Sequence, residues 1–182
     1  LKELVLQCPA IKIEELPSLT PLTHLELLDC GLMQLGTDGI ERLRGLANLQ
    51  TLILDATDLN DDSVAGLNSL VELRDLELAN GGFTDAGLKL LVLPNVRALS
   101  LSGCALLTDS GLHNLGGFTN LRYLDLMDAG VVGKDLTGLA SAPTLELVSM
   151  SAAQLEGNDR TLSKIKEPLP KCKVEVQIGR AH

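Results

Sequence analysis

The chain has 182 residues, of which 45% are hydrophobic and only 2% aromatic, and its formal net charge is −9. A protein that binds a nucleic-acid backbone needs a basic stripe, which this acidic sequence lacks, so we expect no nucleic acid as a partner. An anionic membrane surface is disfavoured for the same reason. No apolar run approaches the roughly 18 residues that a membrane-spanning helix requires, so we expect no membrane partner.

One stretch of the sequence, residues 96–121, contains the complete unit that the rest of the chain repeats. It opens with V-x-x-L-x-L, continues with L-T-D-S-G-L at residues 107–112, and ends where Leu121 begins the next copy. We assign the second apolar residue of the motif to eight positions: Leu4, Leu25, Leu52, Leu76, Leu99, Leu124, Val148 and Cys172. The distances between consecutive positions are 21, 27, 24, 23, 25, 24 and 24 residues. A period in the twenties with L-x-x-L-x-L is typical of a leucine-rich repeat.

The leucines explain why such a repeat folds. Leucine accounts for 42 of the 182 residues, and one coil of this length can bury its leucines only when other coils stack above and below it. We therefore predict an α/β leucine-rich repeat solenoid, a right-handed α/β horseshoe with a parallel sheet on the concave face and helices on the convex face. A single domain of about seven coils plus a terminal strand is expected over residues 1–178, with a tail at 179–182.

The first two coils deviate from the regular pattern. The first coil, residues 1–19, carries Pro9 and Pro17, which suit an irregular edge because proline cannot donate to a sheet. It already has the repeat pattern, so we expect no signal peptide there. No cap precedes it, which predicts a further chain segment or a partner subunit at this N-terminal edge. We assign the second coil as Leu22-x-x-Leu25-x-Leu27, and the 27-residue step that follows predicts a bulge around residues 33–36.

Coils 3, 4 and 5, which begin at Leu49, Leu73 and Val96, share a polar signal before their helical segments. Asp61, Thr84 and Thr108 precede the apolar residues of these segments, at the place where an N-cap oxygen takes up an otherwise unpaired backbone N–H. Gly87 and Gly111, in T-D-x-G-L, are expected to let a helical segment approach its neighbour. These aspartates recur by structural need, so we do not expect them to be catalytic.

The last two coils are weaker. Gly130 and Gly133 replace the cap signal in the sixth coil, and polar residues interrupt the seventh before Leu162 and Ile165. A final strand is predicted from residue 169 to residue 176. It carries charged residues of the kind that keep an edge strand from pairing with another chain: Lys171, Lys173 and Glu175.

The four cysteines predict free thiols. Cys30 and Cys104 are assigned to the same position of their coils, three coils apart, which is roughly 14 Å at sheet spacing and beyond the 7 Å limit for a disulfide. Four free thiols favour a reducing, intracellular compartment, cytoplasmic or nuclear. The three histidines form no metal-ligand spacing with Cys8, Cys30, Cys104 or Cys172, so we expect no metal and no cofactor.

The T-D-x-G-L segments carry a resemblance to a known group of proteins. Residues 83–88 (FTDAGL) and 107–112 (LTDSGL), with a cysteine at the position that two coils share, resemble the cysteine-containing leucine-rich repeat subfamily. This subfamily occurs in the substrate-binding part of F-box proteins of ubiquitin ligases and in bacterial leucine-rich repeat proteins, whose closing strand residues 169–174 (LPKCKV) also resemble. The resemblance covers almost the whole chain and implies a role in polypeptide binding. No F-box segment is present, so the ligase role is implied by analogy alone.

Candidate binding residues follow from the strand geometry. Side chains alternate along a strand, so the residues between the leucines are expected on the concave face. We place Glu26 in the central column of this face, with His24 and Leu28 in the two flanking columns. The candidate partner-binding residues combine the only tyrosine, an acidic centre and a ladder of three arginines: Glu26, Ile53, Asp55, Arg74, Asp75, Glu77, Arg97, Arg122, Tyr123, Asp125 and Met127. Either the arginines pair with nearby acids as an ordinary polar surface, or the face is a charged groove for a basic protein segment.

Three classes of function remain after this reasoning. The sequence favours a non-catalytic protein–protein interaction module that binds a protein partner on its concave face. The alternatives are the substrate-recognition part of a ubiquitin ligase and an architectural or scaffold subunit of a larger complex. An enzyme is not expected, because the sequence shows no catalytic constellation and no phosphate-binding loop. His24 near Glu26 and Asp29 comes nearest to one.

Overall fold

The computed structural model of the protein describes residues 1–35, 38–155, 169 and 171–177. In this part of the chain eight short strands form one open parallel sheet, and each strand pairs with the next along the sequence. The strands are β1 (Glu3–Val5), β2 (Leu27–Asp29), β3 (Thr51–Ile53), β4 (Asp75–Glu77), β5 (Ala98–Ser100), β6 (Tyr123–Asp125), β7 (Leu147–Ser151) and β8 (Lys173–Gln177). The apolar positions predicted at Leu162 and Ile165, and the tail at 179–182, lie outside the described residues.

Short helical segments connect the strands. Among the segments that the structure describes, two are α-helices, α1 (Asp61–Val64) and α2 (Asp85–Leu90). The others are 3₁₀ segments: Ile13–Glu15, Glu41–Leu43, Ala65–Ser69, Asp109–Gly117, Thr137–Ser141 and Ala152–Leu155. A parallel sheet whose consecutive strands are joined by helical turns is the α/β leucine-rich repeat solenoid that the sequence predicts.

The register of the second coil corrects the sequence assignment. Leu28 pairs with Leu4 on one side and with Leu52 on the other, so both steps are 24 residues long. The motif of this coil is therefore Leu25-x-x-Leu28-x-Cys30, and the bulge inferred from the 27-residue step is wrong. Adjacent leucines allow both registers in the sequence, but only this one buries Leu28 and Cys30 completely.

The closing strand also pairs differently from the assignment. Val148 lies opposite Val174, not Cys172, so the motif begins two residues later than predicted. Cys172 is only partly exposed, and it packs against the edge of the core. An apolar residue occurs at every second position from Cys172 to Val176, and this periodicity alone does not select the register.

The core is a stack of equivalent leucines. The second apolar residue of the motif is buried in coils 2 to 7, at Leu28, Leu52, Leu76, Leu99, Leu124 and Val148. Phe83 and Phe118 are also fully buried. Complete burial of one such side chain contributes about 1.5–3 kcal/mol, so the repeated leucines supply the stabilisation that the sequence predicts.

A left-handed residue ends each strand turn in coils 2 to 6. It lies four positions after the buried second residue of the motif and has a φ between 53° and 67°: Leu32, Ala56, Asn80, Gly103 and Asp128. L-residues other than glycine, asparagine and aspartate adopt this conformation at a cost. The turn is therefore strained where the residue is leucine or alanine.

The cysteines do not share a position. Cys30 occupies the third apolar position of its motif, level with Leu54, whereas Cys104 lies in the turn after β5 and its Sγ contacts the Leu78 carbonyl oxygen at 3.2 Å. The shared cysteine slot is therefore wrong, because it followed from the wrong register of coil 2. All four thiols are free. Burial raises the pKa of Cys30 to about 12 and that of Cys104 to about 11.

Candidate partner-binding face

The side of the sheet that faces away from the core, called here the open face, carries three rows of side chains. The central row is Val5, Asp29, Ile53, Glu77, Ser100, Asp125, Ser149 and Glu175. The first flanking row is Glu3, Leu27, Thr51, Asp75, Ala98, Tyr123, Leu147 and Lys173. Backbone bonds past the strand ends continue the register into a second flanking row, which includes Asp55, Ala79, Ser102 and Met127.

Seven of the eleven predicted binding residues lie in these rows: Ile53, Asp55, Asp75, Glu77, Tyr123, Asp125 and Met127. Glu26 does not, and its placement in the central row is wrong. Asp29 takes that place, Leu27 replaces His24 in the first flanking row, and Leu28 belongs to the core. The sequence reasoning missed Asp29 because it began the second coil three residues early. The near-uniform 24-residue spacing of the neighbouring coils was the signal that could have corrected it.

The predicted arginine ladder is part of a longer row directly before the strands. The backbone bonds of consecutive strands align its members: Lys2, Glu26, Gln50, Arg74, Arg97, Arg122 and Glu146. Lys2 pairs with Glu26 at 2.7 Å and Arg122 with Glu146 at 3.1 Å, so both end pairs are formed within the row. Across the described residues, Arg74 and Arg97 form no ion pair.

Three carboxylates crowd together between β2 and β4. Asp29 accepts hydrogen bonds from the Gln7 amide at 2.6 Å and from the Gly31 backbone nitrogen at 2.9 Å. Asp55 accepts one from the Ala79 backbone nitrogen at 2.8 Å. Partial burial, followed by the negative charges of Asp55 and Asp29, raises the pKa of Glu77.

A shallow depression of about 490 Å³ lies next to this cluster, over β5. Ala98 and Ser100 lie at its centre and carry smaller side chains than their partners on β4 and β6. Asp75 and Glu77 stand on the β4 side, and Tyr123 and Asp125 on the β6 side. Tyr123 is 47% exposed.

His24 and Glu26, two of the residues that come nearest to a catalytic group in the sequence, contact other side chains in the structure. The His24 Nδ1 lies 3.2 Å from the Thr23 hydroxyl, while the Glu26 carboxylate is paired with Lys2. In the described ranges no group of three or more histidine, cysteine, aspartate and glutamate side chains is placed to hold a metal ion. The same part of the chain contains no helix with the length and apolarity needed to cross a bilayer.

Comparison with known proteins supports the fold. No protein-family model matches the chain, and no curated protein matches it. An internalin (inlF) from Listeria monocytogenes is similar in structure, with a TM-score of 0.64 and 24% identity over 99% of this chain and 49% of the internalin. A TDR receptor is similar with a TM-score of 0.56 and 23% identity over 90% of this chain and 28% of the receptor. The chain therefore spans about half the length of the internalin, and the likeness shows the leucine-rich repeat fold alone.

Proposed function

We propose that this chain is a protein-interaction module without chemistry of its own, and that its open face holds a protein partner. The observation that carries the proposal is the combination of groups on β4 to β6. There, an exposed tyrosine lies beside carboxylates that have no ion pair with any described residue. Tyrosine is a favoured interface anchor, and the extended sheet face of a solenoid suits recognition of another polypeptide.

The partner's contact segment is expected to be basic. Asp29, Asp55, Asp75, Glu77 and Asp125 give the face a negative centre, and electrostatic complementarity accelerates association and selects against wrong partners. We also propose that residues 1–178 act as one domain with a tail at 179–182. The intracellular location suggested by the free thiols stays a prediction.

A second candidate is an architectural subunit. Leu1, Val5 and Ile11 are exposed at the β1 edge of the sheet, and a permanent partner there would cover them. The third possibility, substrate recognition for a ubiquitin ligase, follows only from the resemblance to the cysteine-containing subfamily. It is weakened because Cys30 and Cys104 do not share a position.

Affinity capture tests the proposed function. The Tyr123→Ala/Glu77→Ala/Asp125→Ala triple variant should lose the partner that the wild-type chain retains, without a loss of melting temperature because none of the three side chains belongs to the core. A matched control removes two exposed acids and one apolar side chain outside the open face, in the triple variant Asp62→Ala/Glu72→Ala/Leu90→Ala. Leu90 is as exposed as Tyr123, at 47% each. Equal retention of the partner by the open-face variant and the wild type would contradict the proposal.

Size-exclusion chromatography separates the second candidate from the first. An interaction module should elute as a monomer, because its binding face is polar. An architectural subunit with an uncovered apolar edge should self-associate, and Ile11→Lys, which lies outside the three rows of the open face, should suppress that association.

A further inference from the structure

We propose that the depression over Ala98 and Ser100 receives an arginine side chain of the partner. This inference rests on the proposed function and names the chemical group that the open face recognises. The depression, with Asp75, Glu77, Tyr123 and Asp125 around it, is called here the β5 pocket.

The dimensions of the β5 pocket follow from strand register. Ala98 pairs with Asp75 on one side and with Tyr123 on the other, and the register places Ser100 between Glu77 and Asp125. Neighbouring strands lie about 4.8 Å apart, so the side chains on β4 and β6 stand roughly 10 Å apart across β5. The small residues on β5 leave that space open, and one extended side chain fits between the two walls.

The charges around the β5 pocket call for a cation. Asp75, Glu77 and Asp125 form no ion pair with any described residue. One Asp125 oxygen accepts the Met127 backbone N–H at 2.9 Å, and that bond does not neutralise the carboxylate. The three arginines of the row before the strands do not fill the gap, because Arg122 is bound to Glu146 at 3.1 Å and Arg74 and Arg97 pair with no acid in the described part.

The kind of cation is set by the other groups of the pocket. A metal ion is disfavoured, because the described acids are not placed to coordinate one. A guanidinium group is planar and always charged, carries five N–H donors that match carboxylates in pairs, and stacks on aromatic rings. Tyr123 supplies the ring on one wall, with carboxylates on both walls. A lysine ammonium would also neutralise the carboxylates. It lacks the planar set of paired donors, however, and it interacts less well with the face of an aromatic ring.

The chain offers an internal probe for this test, because Tyr123 is its only tyrosine and it has no tryptophan. Tyrosine fluorescence is recorded while acetyl-Gly-Arg-Gly-amide is added, and again with the citrulline peptide, which keeps the shape but removes the charge. We expect the arginine peptide to bind at least about tenfold more tightly than the citrulline peptide, with the lysine peptide in between.

Asp125→Asn should weaken arginine binding at least about threefold, whereas Asp62→Asn, an equal change of charge on α1, should not. Equal binding of the arginine and citrulline peptides, or equal effects of the two substitutions, would overturn the inference.

A peptide-display selection distinguishes this inference from the proposed function. Short linear peptides are selected on the wild-type chain and then depleted on the Tyr123→Ala/Glu77→Ala/Asp125→Ala variant. Enrichment of arginine at one position of the remaining peptides is the expected result. Peptides that depend on the open face but lack arginine would overturn the β5 pocket assignment and leave the proposed function intact. Failure to obtain any peptide that depends on the face would count against both.

Discussion

The carboxylate of Asp85 accepts two hydrogen bonds from Thr108 in the next coil, from the hydroxyl at 2.6 Å and from the backbone nitrogen at 2.9 Å. Asp61 accepts the same two bonds from Thr84, both at 2.7 Å. The Thr84 and Thr108 side chains in turn accept the backbone N–H of Ala86 and Ser110, so the predicted caps are confirmed for these threonines. In coil 3 the cap is Asn60, not Asp61. The Thr-Asp pair therefore joins consecutive coils as well as starting a helical segment.

The glycine of T-D-x-G-L belongs to the same connection. A Cβ at Gly111 would collide with the Asp85 carboxylate of the preceding coil, as one at Gly87 would with Asp61. Gly111→Ala should destabilise the protein by about 1–3 kcal/mol, as overpacking of a close contact does. In an Asp85→Ala background the added methyl has no carboxylate to displace, so its cost should fall to below about 1 kcal/mol. Denaturant unfolding of the four proteins measures this coupling, and strictly additive costs would contradict the steric explanation.

The loss of folding stability at acidic pH should depend on Asp61. Burial acts to raise the pKa of Asp61, but the hydrogen bonds from Thr84 and from the Gly87 backbone outweigh it and lower that pKa. A lowered pKa stabilises the folded state at pH values above the ordinary aspartate pKa of about 3.9. This stabilisation is lost as the pH falls through the lowered pKa. Asp61→Asn should therefore reduce the melting temperature at pH 7, with a smaller reduction at pH 3. Asp62→Asn, which removes the same charge from the same helix, serves as the control for the change of charge, and an equal loss of melting temperature at pH 7 in that variant would contradict the role of the Thr84 hydrogen bonds.

Glu77 should have the opposite effect on stability. Its pKa is raised, first by burial and then by Asp55 and Asp29. Between the ordinary pKa of about 4.3 and the raised value, the folded state holds more protons than the unfolded state, so stability falls as pH rises through this window. Glu77→Gln should therefore raise the melting temperature at pH 7 and flatten its decline above pH 4. A lower melting temperature for this variant at pH 7 would show that the carboxylate is stabilising.

The left-handed turn after β2 predicts a stabilising substitution. Leu32 has a φ of 66° and is 53% exposed, so leucine there bears backbone strain and buries little apolar area. Leu32→Gly should increase the free energy of unfolding by up to about 1 kcal/mol. Leu90→Gly removes a similarly exposed leucine from α2 and should cost about 1 kcal/mol. Calorimetry of both variants tests the prediction, which fails if the two substitutions destabilise equally.

Thiol accessibility should divide the four cysteines. Cys30 and Cys104 are buried and have raised pKa values of about 12 and 11, so they offer almost no thiolate at pH 8. Cys8 is exposed and should react first with a thiol-specific reagent such as iodoacetamide. Mass spectrometry of the native protein should locate the early label on Cys8, and denaturation should make all four thiols reactive. Fast native labelling of Cys104 would indicate that coil 5 opens locally.

The repeat could be predicted in this detail because its signal is redundant. Leu52, Leu76, Leu99 and Leu124 each occupy the predicted second apolar position, and an error in one coil does not alter the others. The registers of coil 2 and of the closing strand are predicted wrongly because the local sequence is ambiguous there. Coil 2 has leucines at 22, 25, 27 and 28, and the closing strand has apolar residues at 172, 174 and 176. Two registers satisfy the pattern in each case, and the choice depends on which side chains the neighbouring coil buries.

The sequence by itself determined the solenoid, its core leucines, the capping threonines and most of the open face, because burial at a constant spacing allows one arrangement of these residues. Only the tertiary structure decided that Asp29 replaces Glu26 on that face, that Arg122 binds Glu146, and that Ala98 and Ser100 leave a gap between β4 and β6. Each of these depends on residues about 24 positions apart that strand pairing places side by side. Spacing along the chain specifies the coil, whereas contact between coils specifies the site.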